Sequence, residues 1–201
     1  MADPIEFWFD FSSPYAYFAQ DKIDEVGLKF GERETVWRPF LLGAVFKITG
    51  MPPLVQIPMK GNYCIEDWQR LARYQDLAWK MPDPFPIATV AAARAFYWLE
   101  SAHPDKAKPF AEACFRTYYG DSVQIGTPAE VIAVAERIGI DGAELGEAIQ
   151  SPEIKDLLRQ RVDEAVEREI FGSPMFIVDG QRFWGSDRIW MVKKWLQRGG
   201  W

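Results

Sequence analysis

Phe7-Trp-Phe-Asp-Phe-Ser-Ser-Pro-Tyr-Ala-Tyr17 is the stretch of this 201-residue chain whose residue types best suit chemistry. An apolar strand runs into Ser12-Ser13-Pro14, and an aromatic-rich helix starts there. The Ser13 hydroxyl then sits at a helix N-terminus, where free N–H groups and partial positive charge favour an anion such as a thiolate. Ser-Pro is also a common way to begin a helix, so taken alone the segment reads as an N-cap.

Two further segments carry polar groups suited to a ligand. In Phe171-Gly-Ser173-Pro174-Met-Phe176, a proline stands directly before a β-rich run. A cis bond there would turn backbone groups outward to pair with an extended peptide, whereas a trans bond would leave an ordinary loop. In Phe183-Trp184-Gly-Ser186-Asp187-Arg188, a strand stops at glycine and a helix begins with Ser-Asp. Its N–H groups suit a carboxylate and the Asp187 side chain an ammonium, together an α-amino acid end. By itself this too is an ordinary helix cap.

Other chemistries are poorly supplied. The two cysteines, Cys64 and Cys114, lie far apart and form no Cys-x-x-Cys, which excludes a dithiol centre or a zinc ribbon. They read as buried small hydrophobes. The single histidine, His103, falls in Ser-Ala-His-Pro-Asp, an exposed turn between helices, so histidine triads and metal sites gain no support. A net charge of −6 argues against a nucleic-acid partner, and no apolar run reaches membrane-spanning length. The N-terminus lacks a secretory pattern, and the cysteine usage suits a reducing cytoplasm.

The elements that must position these segments follow from periodicity. Strands are predicted over 5–10 and 34–39, with a helix over 14–27 as the crossover of a right-handed βαβ unit. A short helix over 40–50 ends at Met51-Pro52-Pro53. Helices follow over 62–80, 87–100, 105–119 and 128–138, with 81–86 as an extended connector. A charged amphipathic helix covers 151–169, its acidic clusters reading as a solvated face. Then come a strand over 175–179, an Asp179-Gly180 turn, a strand over 181–184 and a last helix over 186–198. This is an α/β fold with helices inserted: residues 1–61 and 140–201 form one discontinuous domain around an all-helical insertion, 62–139.

Five motifs in order carry a resemblance: Phe9-Asp-Phe-Ser-Ser-Pro-Tyr-Ala-Tyr17, Arg38-Pro-Phe-Leu-Leu-Gly43, Pro84-Phe-Pro86, Gly172-Ser-Pro174 and Trp184-Gly-Ser-Asp-Arg188. Over essentially its full length the chain resembles the 2-hydroxychromene-2-carboxylate isomerases and the related kappa-class glutathione transferases, within the DsbA-like thioredoxin superfamily. The resemblance implies a thioredoxin-like α/β fold, glutathione as cofactor and usually a homodimer. Thioredoxin-like folds place their first reactive cysteine where this chain has Ser13.

By the same resemblance, Ser13 is the catalytic serine that hydrogen-bonds the glutathione sulfur, preferred over Ser12 because the family motif is Ser-Pro. The backbone of Ser173 and Pro174 is the edge that pairs with the cysteinyl unit, and Ser186 and Asp187 receive the γ-glutamyl end. The implied activity is conversion of 2-hydroxychromene-2-carboxylate to trans-o-hydroxybenzylidenepyruvate, a step in aromatic hydrocarbon degradation. The alternatives are a kappa-like transferase or peroxidase at the same serine, and a non-catalytic glutathione-binding relative.

The chain departs from the pattern in the second pocket. Thr49-Gly50 is followed by Met51, and Ile87 by Ala88, where the isomerases typically carry asparagine. Lys47 and Lys60 stand at family-like places and could meet a substrate carboxylate; as surface charges they read equally well. Trp8, Trp37, Trp68 and Trp184 could line an aromatic pocket, with core packing the expected role of most.

Overall fold

The computed structural model describes residues 3–201. Its centre is a mixed four-stranded sheet in the order β2-β1-β3-β4, from β1 (Ile5–Phe9), β2 (Thr35–Pro39), β3 (Met175–Val178) and β4 (Gln181–Trp184). β1 pairs in parallel with β2 and antiparallel with β3, and β3 forms a hairpin with β4. β1 presents large apolar side chains to both faces because both are covered, with Glu6 its one charged residue. Phe7 and Phe9 enter the main core, while Trp8 points into a smaller cluster with Phe40, Met175 and Ile170.

The predicted crossover helix is two helices, α1 (Pro14–Tyr17) and α2 (Gln20–Gly31), broken at Phe18-Ala19. Phe18 there is 1% exposed and packs on Trp79, with ring centroids 5.2 Å apart. α3 (Leu42–Thr49) follows β2 and ends at Gly50, whose φ of +69° is left-handed. A 3-10 turn at Leu54–Gln56 leads into α4 (Lys60–Gln75). Gly61 lets α4 start tight against that turn, since a Cβ there would lie 2.5 Å from the Val55 carbonyl oxygen.

α4 stops five residues before the predicted end, at left-handed Asp76, and Trp79 peels away to stack on Tyr119 at 5.4 Å. The connector runs on to Thr89, with cis bonds before Pro84 and Pro86. α5 (Val90–Ala102), α6 (Pro104–Phe115) with a π-helical turn at Arg116–Gly120, and α7 (Pro128–Arg137) follow. α8 (Gly142–Ala148) lies where no element is predicted; Asp141 caps it, accepting from the N–H groups of Ala143 and Glu144. α9 (Pro152–Glu167) precedes β3, and a 3-10 turn at Ser186–Arg188 precedes α10 (Ile189–Arg198). Among the described residues, no helix is long and apolar enough to cross a membrane.

The helical block shares the core of the sheet. Phe9 reaches Phe115 at 5.4 Å and Phe96 at 6.3 Å, so the strand leading to Ser13 is held by α5 and α6. On the opposite face, the end of α9 is tied down. Arg168 donates to both carboxylate oxygens of Glu6, at 2.7 and 2.8 Å, and stacks over Trp8. Glu164 accepts from Arg161 and Arg168. Partial burial pushes its carboxyl up, but those bonds outweigh it and hold the group below its ordinary value. The solvated acidic face predicted over 163–169 is therefore corrected: Glu164 and Arg168 anchor the helix just before Ser173.

Candidate functional site

The strand pairings bring four chain segments to one rim of the sheet. β1 and β2 are parallel, Trp8 pairs with Met175, and Met175 pairs with Trp184. The carboxyl ends of β2, β1 and β4 thus meet the amino end of β3. Leu42, Ser13, Ser173 and Ser186 follow these ends in that lateral order, and all four line one cleft of about 990 Å³.

Ser13 is the N-cap of α1, and its Oγ accepts from the N–H of Ala16 at 3.3 Å. The same hydroxyl donates to the carbonyl of Ser173 at 2.9 Å. In return the Ser173 Oγ accepts from the N–H of Asp10 at 2.9 Å. Ser13 and Ser173 are 5% and 9% exposed, so both bonds lie in the cleft floor. The Ser173-Pro174 bond is cis. Pro174 itself is buried outside the cleft lining, and its carbonyl accepts from the Gly185 N–H at 2.9 Å. That bond brings the turn carrying Ser186 and Asp187 alongside.

Asp10 is the site residue the sequence reading missed. Its Oδ1 accepts from the Ser12 N–H and the Thr89 hydroxyl, both at 2.8 Å, and its Oδ2 from the Leu42 N–H at 2.8 Å. One carboxylate thereby joins the ends of β1 and β2 to the start of α5. Burial pushes its carboxyl above the ordinary value, against the lowering from these donors. The available signal was an Asp two residues before Ser12, the spacing of an Asx-turn at a strand end.

The cleft has two chemically different halves. On the β3–β4 side stand Ser186, Asp187, Arg188 and Lys193, with half-exposed Trp184. Trp184 packs on Phe171 at 5.0 Å and passes so close to Gly172 that any Cβ there would strike its indole nitrogen. On the β2 side stand Leu42, Phe46, the 51–55 loop, Trp68 and Phe85. Asp67 stands on that wall, where it accepts from the Tyr15 hydroxyl at 3.1 Å and pairs with Arg70 at 2.7 Å; farther along α4, Lys22 enters the cleft over the Tyr74 ring.

Lys47 and Lys60 do not line the cleft and are exposed. α3 turns Leu42, Gly43 and Phe46 inward, which leaves Lys47 to solvent. Trp8 and Trp37 are core residues, whereas Trp68 and Trp184 reach the cleft. Cys64 and Cys114 are free and buried, and burial pushes both thiols up. His103 sits between α5 and α6, away from the cleft lining.

A family model described as the DSBA-like thioredoxin domain matches residues 4–197. The chain belongs to this family. Within it, the chain is 28% identical over 198 residues to the 2-hydroxychromene-2-carboxylate isomerase of Sphingobium xenophagum, covering 98% of this chain and 99% of that one. It is 27% identical over 211 residues to glutathione S-transferase kappa 2 of Caenorhabditis elegans, covering 96% and 91%. A solved 2-hydroxychromene-2-carboxylate isomerase matches with a TM-score of 0.85 at 22% identity, over 98% of this chain and 95% of that one. The DsbA-like fold expected from the motifs is thus the fold observed, and the relatives divide between isomerases and kappa transferases.

Proposed function

We propose that this DsbA-like protein is a glutathione-dependent isomerase acting on a conjugated aromatic substrate. The observation that carries the reading is the Ser13–Ser173 contact beside the Ser186-Asp187 turn, on one floor of one cleft. Bound glutathione would supply a thiolate that adds to a conjugated carbon and is expelled after rotation about the former double bond.

The residues present fit such a tripeptide. Asp187 offers a carboxylate to an ammonium, and Ser186 a hydroxyl and turn N–H groups to a carboxylate. The Ser173 carbonyl is an acceptor at the edge of β3. A hydroxyl has a single proton, and Ser13 now gives its own to Ser173. A peptide N–H taking over the Ser173 carbonyl would release that proton toward a sulfur. Ser13 itself is not the nucleophile, since no basic side chain contacts its Oγ among the described hydrogen bonds.

The names of the relatives, isomerase and glutathione S-transferase, support a glutathione-related isomerase or transferase. A kappa-like transferase, in which the thiol adduct is released, is the second reading; the apolar wall on the β2 side favours it, because such a wall accepts any apolar electrophile. The test is thermal unfolding with and without millimolar glutathione. At a hundredfold excess over Kd, binding adds about 2.7 kcal/mol to stability, a shift of several degrees. No shift at any glutathione concentration removes the proposal.

A further inference from the structure

We infer that the substrate half of the cleft selects a neutral aromatic ketone or enone and disfavours a carboxylate at the same position. The inference rests on the glutathione reading of the β3–β4 half, which assigns the remaining half to the substrate.

That half, on the β2 side of Ser13, is walled by Phe46, Met51, Leu54, Trp68, Phe85 and Ile87. No lysine or arginine belongs to that wall: Lys47 and Lys60 lie outside the cleft, Lys22 lines it from α2 with its Nζ over the Tyr74 ring near the end of α4, and Arg188 and Lys193 belong to the turn and helix beyond β4. The ionisable groups that do meet it are acidic. Asp67 stands on the wall with its oxygens engaged by Tyr15 and Arg70, and Asp10 lies beneath Ser12 and Ser13 with three donors already bound. A carboxylate entering here would lose water and find no unpaired cation on this wall to replace it. An aromatic ring would instead meet Trp68 and Phe85, themselves edge-to-face at 5.6 Å. A ketone oxygen needs only one donor, such as the Ser12 hydroxyl at the floor, whose oxygen accepts from the Ile87 N–H.

Two saturated ligands of one skeleton test this without turnover: 4-phenylbutan-2-one and 2-oxo-4-phenylbutanoate, which differ by methyl against carboxylate. Titration of the whole protein, followed by calorimetry, should show the ketone binding at least about tenfold more tightly, the equivalent of one modest unpaired-charge penalty. Met51→Lys places a cation on the wall and should raise affinity for the oxoacid while leaving or weakening that for the ketone. Tighter oxoacid binding, equal binding, or binding of neither ligand overturns the inference. Thermal shift by glutathione is read separately. Its absence removes the proposed function, whereas a shift together with oxoacid preference removes only the substrate class.

Discussion

The Ser13 hydroxyl donates to the carbonyl of Ser173 at 2.9 Å, across 160 residues of sequence. Each group satisfies the other, so neither is a buried unpaired atom. Removing the hydroxyl has two separable effects. Ser13→Ala strips a cap from α1 and leaves the Ser173 carbonyl without its donor, an expected loss of about 1–3 kcal/mol in urea unfolding. It also removes the donor proposed for the sulfur. Turnover should vanish while most glutathione affinity remains, and the ultraviolet signature of bound thiolate at neutral pH should fall. Full activity in Ser13→Ala would refute the role given to this residue.

Asp10 gives a prediction with a definite sign. Its carboxyl is raised from an ordinary value of 3.8, so the folded protein holds the proton more tightly than the unfolded chain does. This group's contribution is fully present below the unfolded value and is lost as pH rises through the folded one. Asp10→Asn removes the titration and sets an amide N–H₂ against donor groups from Ser12, Leu42 and Thr89, at a cost of about 1–3 kcal/mol. Urea midpoints measured from about pH 7 to about pH 4 should show wild type gaining on Asp10→Asn as pH falls. A gap that stays constant over that range contradicts the assignment.

Gly172 is required by proximity and not by backbone conformation. Its missing Cβ leaves the space that the Trp184 indole occupies. Gly172→Ala should swing the half-exposed Trp184 outward and cost about 1–3 kcal/mol, the usual penalty of overpacking. Glutathione affinity should drop with it, because Trp184 borders Ser186 and Asp187. Tryptophan emission compared in Gly172→Ala and Gly172→Ala/Trp184→Phe reads the ring directly; an unmoved spectrum would rule this out.

The strands were legible because β1 and β3 are short runs of apolar and aromatic residues bounded by turns, and the first helix start and the hairpin because Ser13-Pro14 and Asp179-Gly180 act locally. What escaped the sequence was mostly tertiary. The break at Phe18-Ala19 exists because Phe18 packs on Trp79, sixty residues away in the chain. Lys47 could be placed on a helix, but the inward face of α3 is set by which side covers β1. Asp10 looked like the end of a strand, and its three donors come from three different elements. Glu164 and Arg168 resembled a solvated charge run because Glu6, the partner that ties Arg168 to the sheet, lies 162 residues earlier.

The four-strand rim also has a consequence for the order of events in synthesis. Ser13 leaves the ribosome early, but Ser173 and the Ser186-Asp187 turn come after the entire helical block. The proposed glutathione site is incomplete on the nascent chain until the β3–β4 hairpin docks beside β1. Docking joins residues about 160 apart in the chain, and the antiparallel pairing of Trp8 with Met175 helps offset the entropy of closing that loop. The proposed glutathione site is therefore among the last features to appear, and glutathione bound there would recognise only chains that have completed their sheet.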